Sequence, residues 1–187
     1  HPADFSISCF DWRRVLAGSL MHELRRLLPV NRALLICATI SSCLLVGAFL
    51  FEYIGGLAPC KMCIWQRWAH FGLTLVALSG LLLPSQIRIK LALLVVSFAA
   101  LTSATIAGFH AGVEWRLWDG PFGCSASHDR SGDLALLVDQ LLATPVVRCD
   151  EVVWSLFGIS MAGWNFIISL DIGGFALVCW LANRQAK

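Results

Sequence analysis

Residues 58–83 read APCKMCIWQRWAHFGLTLVALSGLLL. A pair of cysteines three positions apart, Cys60 and Cys63, is followed at once by a run of about 20 mostly apolar residues with one arginine, Arg67, just inside it. A hydrocarbon core of about 30 Å is crossed by roughly 20 apolar helical residues, so the stretch from Ile64 to Leu83 has spanning length. Three more stretches share this character: 33–53 (ALLICATISSCLLVGAFLFEY), 91–111 (LALLVVSFAALTSATIAGFHA) and 159–182 (ISMAGWNFIISLDIGGFALVCWLA). Composition agrees, with 58% hydrophobic and 14% charged residues and a mean hydropathy of +0.73. A soluble helical protein with an apolar core does not require four runs of spanning length. The expected fold is therefore all-α: a four-transmembrane-helix bundle over 33–182, spans at about 33–53, 64–83, 91–111 and 159–182.

Basic residues set the orientation, because short loops rich in Lys and Arg stay on the cytoplasmic side. Arg13, Arg14, Arg25, Arg26 and Arg32 precede the first span, Arg88 and Lys90 separate the second from the third, and Arg184 and Lys187 follow the fourth. The reading places a cytoplasmic segment at 1–32, a cytoplasmic tail at 183–187, and outward-facing loops at about 54–63 and 112–158. Residues 1–32 hold no apolar core followed by a small-residue cleavage site. Within them, RRVLAGSLMHELRRLL (13–28) suits either a basic amphipathic helix on the membrane surface or a solvated leader. A net charge of +2, with no basic stripe interleaved with aromatics, gives no sign of nucleic-acid binding.

The eight cysteines sort by depth. Cys37, Cys43 and Cys179 fall within spans, where a lone cysteine serves as a small apolar side chain, and Cys9 lies on the reducing cytoplasmic side. Cys60, Cys63, Cys124 and Cys149 all fall in the outward loops, where disulfides are the first expectation. A C-x-x-C ring closes too short a loop to restrict the unfolded chain much, which favours redox chemistry over bracing for Cys60 and Cys63. Cys124 and Cys149, 25 positions apart, suit a static brace as well as a relay, and four thiols also admit a zinc site, although zinc frameworks more often show a second close pair. Cys63 stands at the start of the second span, where the helix dipole favours an anion, and Arg67 lies one turn deeper on the same face. Both effects stabilise a Cys63 thiolate. Arg67 either serves that site or snorkels to lipid phosphate.

The motifs PCKMCIWQRWAHFG, FHAGVEW, DGPFGCSA and RCDEVVWSLFGISMAGWN, taken in this order over about residues 33–182, resemble the bacterial DsbB family. The resemblance implies an inner-membrane dithiol:quinone oxidoreductase that reoxidises a DsbA-like periplasmic partner. It also implies a Cys124–Cys149 disulfide attacked at Cys124, exchange between Cys149 and Cys60, and release of a Cys63 thiolate toward a ubiquinone or menaquinone ring near Arg67. Gln66 stands where some family members carry an acid, which would leave Arg67 less compensated. His70 and His110 suit either quinone contact or hydrogen bonds between spans.

Between the loop cysteines, SGDLALLVDQLLATP (131–145) sets Leu134, Leu137, Val138, Leu141 and Leu142 at helical spacing, as for a short amphipathic helix on the membrane surface in the second periplasmic loop. Asp171, deep in the fourth span, suits either a functional acid or a protonated one hydrogen-bonded inside the bundle. The tryptophans at the outer ends of the spans read as an interfacial belt. Two other readings stand beside this one. One is an oxidoreductase of the vitamin K epoxide reductase type, in which the C-x-x-C follows the loop pair instead of preceding it. The other is a non-enzymatic membrane protein with structural disulfides or a metal site.

Overall fold

A computed structural model describes residues 23, 26–82, 86–121, 124 and 147–184, with the backbone alone at 86–89 and 184. Among them are four long helices: α1 (Val30–Tyr53), α2 (Lys61–Leu82), α3 (Gln86–Glu114) and α4 (Met161–Arg184). Helix α3 packs against α2 and α4, and α2 against α1, while α1 touches α3 and α4 only lightly. The sequence-expected helix at 131–145, most of the 13–28 segment and Cys9 lie outside the described residues.

Three of the helices are long and apolar enough to cross a membrane: Val30–Tyr53, Lys90–Glu114 within α3, and Met161–Asn183 within α4. The sequence reading expects four. Helix α2, at 22 residues, matches the others in length but carries Lys61, Gln66, Arg67 and His70 in its first half, and it is not among the three. The all-α expectation also misses a two-residue antiparallel ladder, β1 (Ser155–Leu156) with β2 (Ile159–Ser160), ahead of α4. Its turn residues Phe157 and Gly158 both have positive φ, 54° and 78°, the twist that a two-residue hairpin demands.

The helices end for local reasons. Arg116 (φ 58°) closes α3: its N–H donates to the Val113 carbonyl, and the Leu117 N–H donates to that of Gly112, so the last turn is capped by a left-handed residue. Between lipid-like surfaces there is little hydrophobic drive for one helix to seek another, and close backbone approach through small residues takes its place. The buried positions are accordingly rich in alanine: Ala33, Ala38, Ala77, Ala92, Ala100, Ala107 and Ala176 lie inside, while Leu75, Leu91, Phe98 and Val178 face out. Cys37 and Cys179 are part of this core, as the sequence suggests. Cys43 differs and is exposed. Asp171 is exposed too, on the outer face of α4, which counts against one of its two readings, an acid hydrogen-bonded inside the bundle.

Gly80 marks the tightest of these approaches: a Cβ there would lie 2.7 Å from the Cβ of Ala92 and 3.0 Å from Leu34 Cδ1. Gly80→Val should therefore destabilise the protein by about 1–3 kcal/mol, read as earlier thermal unfolding in detergent. Gly72→Ala, which meets open space, should unfold no earlier than the parent. Equal losses in the two variants would remove the packing explanation.

Candidate active site

The C-x-x-C spacing acquires its meaning from the start of α2. The Cys60 carbonyl accepts the first helical hydrogen bond, from the Ile64 N–H at 3.1 Å, so Cys60 is the N-cap. Its sulfur accepts from the Cys63 N–H at 3.2 Å, the side-chain-to-N3 contact that capping residues make. Cys63, on that third helical position, is thereby turned back toward Cys60, and the two sulfurs lie 2.7 Å apart without being bonded. The Cys60 thiol is pushed well above its ordinary range, first by the hydrogen bond it shares with Cys63 and then by burial. Of the two sulfurs, Cys60 is therefore the one favoured to keep its proton.

The second pair arrives from the far side of the sequence. Cys124 and Cys149 form a disulfide with a Cα–Cα distance of 5.1 Å, and the Cys149 N–H donates to the Cys124 carbonyl at 2.6 Å. Both are fully buried, in one apolar cluster with Cys60, Met62 and Val113, against which Cys63 and Val147 pack. The four cysteines singled out in the sequence are thus drawn to one end of the bundle. Beside Cys149, Arg148 forms a two-armed bond to Asp150, at 3.0 and 2.6 Å, and this guanidinium holds the Asp150 carboxyl below its usual range.

A cavity of about 350 Å³ opens next to the sulfurs. Its walls are mostly apolar, with Leu44, Phe51, Val153, Trp154 and Met161 among them, and Cys60, Cys63, Gln66, Arg67, His70 and His110 reach it as well. This is the size and character of a small-molecule site.

Arg67 does not stand uncompensated, as Gln66 in place of an acid suggests. Its guanidinium is ion-paired with Glu52, donates to the Ala48 carbonyl at 3.1 Å and sits 5.1 Å from the Phe49 ring centre, all on α1. The acid is supplied by a neighbouring helix instead of the adjacent position, which leaves Gln66 free for another task. Gln66 bridges His110 Nδ1 at 3.1 Å and accepts from the Asn165 amide at 2.6 Å. His110 reaches Cys60 Sγ with its other nitrogen at 3.6 Å, and that nitrogen is 4.0 Å from Glu114, whose second oxygen accepts from Ser160.

His70, one turn below Gln66, is the centre of a second group. Its Nδ1 meets the Ser41 hydroxyl at 2.9 Å, and its Nε2 lies 2.9 Å from Asn165 Oδ1, 3.1 Å from Ser103 and 3.2 Å from Ser169. The sequence reading named both histidines but neither Glu52, Asn165 nor the serines. The available signal was polar residues at matching depth on different spans: Glu52 with Arg67, and Ser41, Ser103 and Asn165 with His70.

A helix-capping dithiol buried beside a disulfide, at one end of a bundle whose helices suit a membrane, defines a membrane thiol–disulfide oxidoreductase. The profile of "Disulfide bond formation protein DsbB" matches residues 30–179. "Disulfide bond formation protein B" of Pasteurella multocida (strain Pm70) is 37% identical over 135 residues, spanning 68% of this chain and 74% of its own length. Proteins of the same name from Methylococcus capsulatus and Actinobacillus pleuropneumoniae serotype 5b are each 32% identical, over 144 and 164 residues and 85% and 89% of their own lengths. The chain belongs to the DsbB family. It is accordingly a membrane thiol oxidoreductase of disulfide bond formation, the enzyme that reoxidises DsbA.

Asn165 joins the two histidine groups, and an apolar substitution strands the Gln66 carbonyl in a buried setting and removes one of the three contacts of His70 Nε2. Asn165→Leu should cost about 1–3 kcal/mol, mainly for that unmet carbonyl. Thermal unfolding in detergent checks this; a variant as stable as the parent would show that the amide contributes nothing to the bundle.

Proposed function

We propose that electrons enter this chain from a DsbA-like periplasmic dithiol at Cys124, pass through Cys149 to Cys60 and Cys63, and leave to a membrane quinone, ubiquinone or menaquinone, held in the cavity beside Arg67. The observation that carries this reading is that both cysteine pairs pack together in one cluster, of which Cys60 and Cys63 also line an apolar cavity. The setting is the bacterial inner membrane, with all four helices as spans, residues 1–32 and 183–187 cytoplasmic, and the cysteine loops at about 54–63 and 112–158 periplasmic.

Each exchange step conserves electrons. A partner thiolate attacks Cys124 Sγ, forming a mixed disulfide as the Cys124–Cys149 bond breaks, and Cys149 leaves as a thiolate. That thiolate attacks Cys60 Sγ of the oxidised first pair, and Cys63 leaves as a thiolate. Thiolate attack runs along the S–S axis, so sulfurs packed in one water-poor cluster need only small movements. Cys63 is the suited leaving group because it lies in the first turn of α2, where unpaired N–H groups and the dipole favour an anion.

The residues fit a quinone: the walls are apolar and flat rings such as Trp154 and Phe51 border them, with Arg67 and His110 offering donors for carbonyl oxygens. When bound, a quinone supplies the acceptor for two electrons and two protons. Glu52 holds Arg67 in place and tempers its charge, so that the guanidinium orients an oxygen without drawing other anions into the site. His110, tied to Gln66 and facing Cys60, is set to hold a proton next to the sulfur.

Quinone reduction by the purified protein, followed optically after addition of reduced DsbA, tests the path. Cys63→Ser should reduce turnover to background, Cys124→Ser should fail to form the mixed disulfide, and Cys37→Ala, in the distant core, should turn over close to the parent. Turnover in Cys63→Ser would remove this thiol from the path. Turnover absent from the parent, with several quinones and lipid supplied, would return the four cysteines to bracing.

A further inference from the structure

Cys60, Cys63 and His110 contribute Sγ, Sγ and Nε2 atoms that all lie within 4.8 Å of one another. Two thiols and an imidazole form a donor set that Zn²⁺ prefers over harder cations. From these residues we propose that the reduced chain binds one Zn²⁺-class ion at Cys60, Cys63 and His110, with Glu114 as the fourth ligand, and that this ion arrests thiol exchange. The set is not the four-thiol site considered from sequence, because Cys124 and Cys149 are joined to each other.

The distances among Cys60, Cys63 and His110 are close to what a tetrahedral ion requires, and Glu114, outside that close group, stands next to His110. Zn–S bonds of about 2.3 Å and Zn–N or Zn–O bonds of about 2.0–2.2 Å place neighbouring donors roughly 3.3–3.8 Å apart. Cys60 Sγ and His110 Nε2 are already 3.6 Å apart, and His110 Nε2 is 4.0 Å from Glu114 Oε1. The two sulfurs, at 2.7 Å, must separate by about 1 Å to reach that tetrahedral spacing, and Cys63, which borders the cavity, has the room to turn. Glu114 is aimed by the Ser160 hydroxyl on its other oxygen. With Nε2 on the ion, the His110 ring proton sits on Nδ1; the Gln66 amide, whose nitrogen faces Nδ1 at 3.1 Å while its oxygen accepts from Asn165, then turns over to present that oxygen, the outer-sphere bond that fixes a ligating histidine.

Binding replaces the thiol protons with the metal; no electron moves. The disulfide form has no thiolate to offer, so affinity is tied to redox state, and metal held on both sulfurs leaves neither free to attack or be attacked. The cavity provides the way in.

The full chain in detergent, with the first pair reduced or oxidised, is titrated with Co²⁺ and then with Zn²⁺ against a chromophoric chelator. The reduced parent should bind one Co²⁺ with the intense bands of a tetrahedral thiolate site, and the oxidised parent should lack them. Cys63→Ser should lose those bands, and Glu114→Gln should weaken binding about 10-fold. Should His110→Ala fail to fold, alkylation of the parent decides instead: Zn²⁺ should shield Cys60 and Cys63 from a maleimide, and a chelator should restore labelling. Equal binding by the oxidised chain, unchanged bands in Cys63→Ser, or no shielding would overturn the proposal. None of these readings involves quinone or DsbA, so failure of the electron path would be seen separately.

Discussion

The bundle depends on a histidine in a place where helices have little else to bind them. In an apolar solvent the exclusion of water no longer drives helix against helix, and interhelical hydrogen bonds together with close packing take over. His70 of α2 gathers Ser41 from α1, Ser103 from α3, and Asn165 and Ser169 from α4, one or more polar groups from every helix. Each partner must come to the same depth, so the contact sets the relative height of all four helices as well as their association. Small residues then bring the backbones together around it, as where Ser97 donates to the Gly173 carbonyl at 2.9 Å.

That depth registration is passed upward to the chemistry. Asn165 bonds to both His70 and Gln66, Gln66 to His110, and His110 to Cys60, so an unbroken series of contacts links the middle of the bundle to the first sulfur. A shift of α4 by one residue would move Asn165 off Gln66 and alter what His110 presents to Cys60. The apolar cavity lies along this series: Gln66, His70, His110 and Asn165 line it, as does Arg67 of α2, which Glu52 of α1 holds by an ion pair. Stability and chemistry here draw on the same few polar residues, the usual condition where buried polar groups must be fully satisfied to be tolerated.

Much of this was legible in the chain, and for definite reasons. The apolar runs give helices because a backbone without water must bond within its own segment. The C-x-x-C at the start of α2 could be read as redox-active because its spacing equals that between a cap and the third helical position, which brings the sulfurs together in any helix so placed. Where the reading fell short, the missing information was lateral. Gln66 gave no acid for Arg67, and the acid came from Glu52, fifteen residues earlier on another helix. Helix α2 fell below the apolarity of its neighbours because the polar residues that build the site are concentrated in its first half.

The sequence by itself determined the helices, the close pairing of Cys60 with Cys63 and the family, since each rests on local spacing or on short ordered motifs. Only the tertiary structure decided that Cys124 and Cys149 share a buried cluster with Cys60, that Asp171 faces outward and that His70 is a junction of four helices. Those facts depend on the rotation and height of one helix against another, and such quantities are set by mutual satisfaction of side chains far apart in the chain. No local periodicity records them.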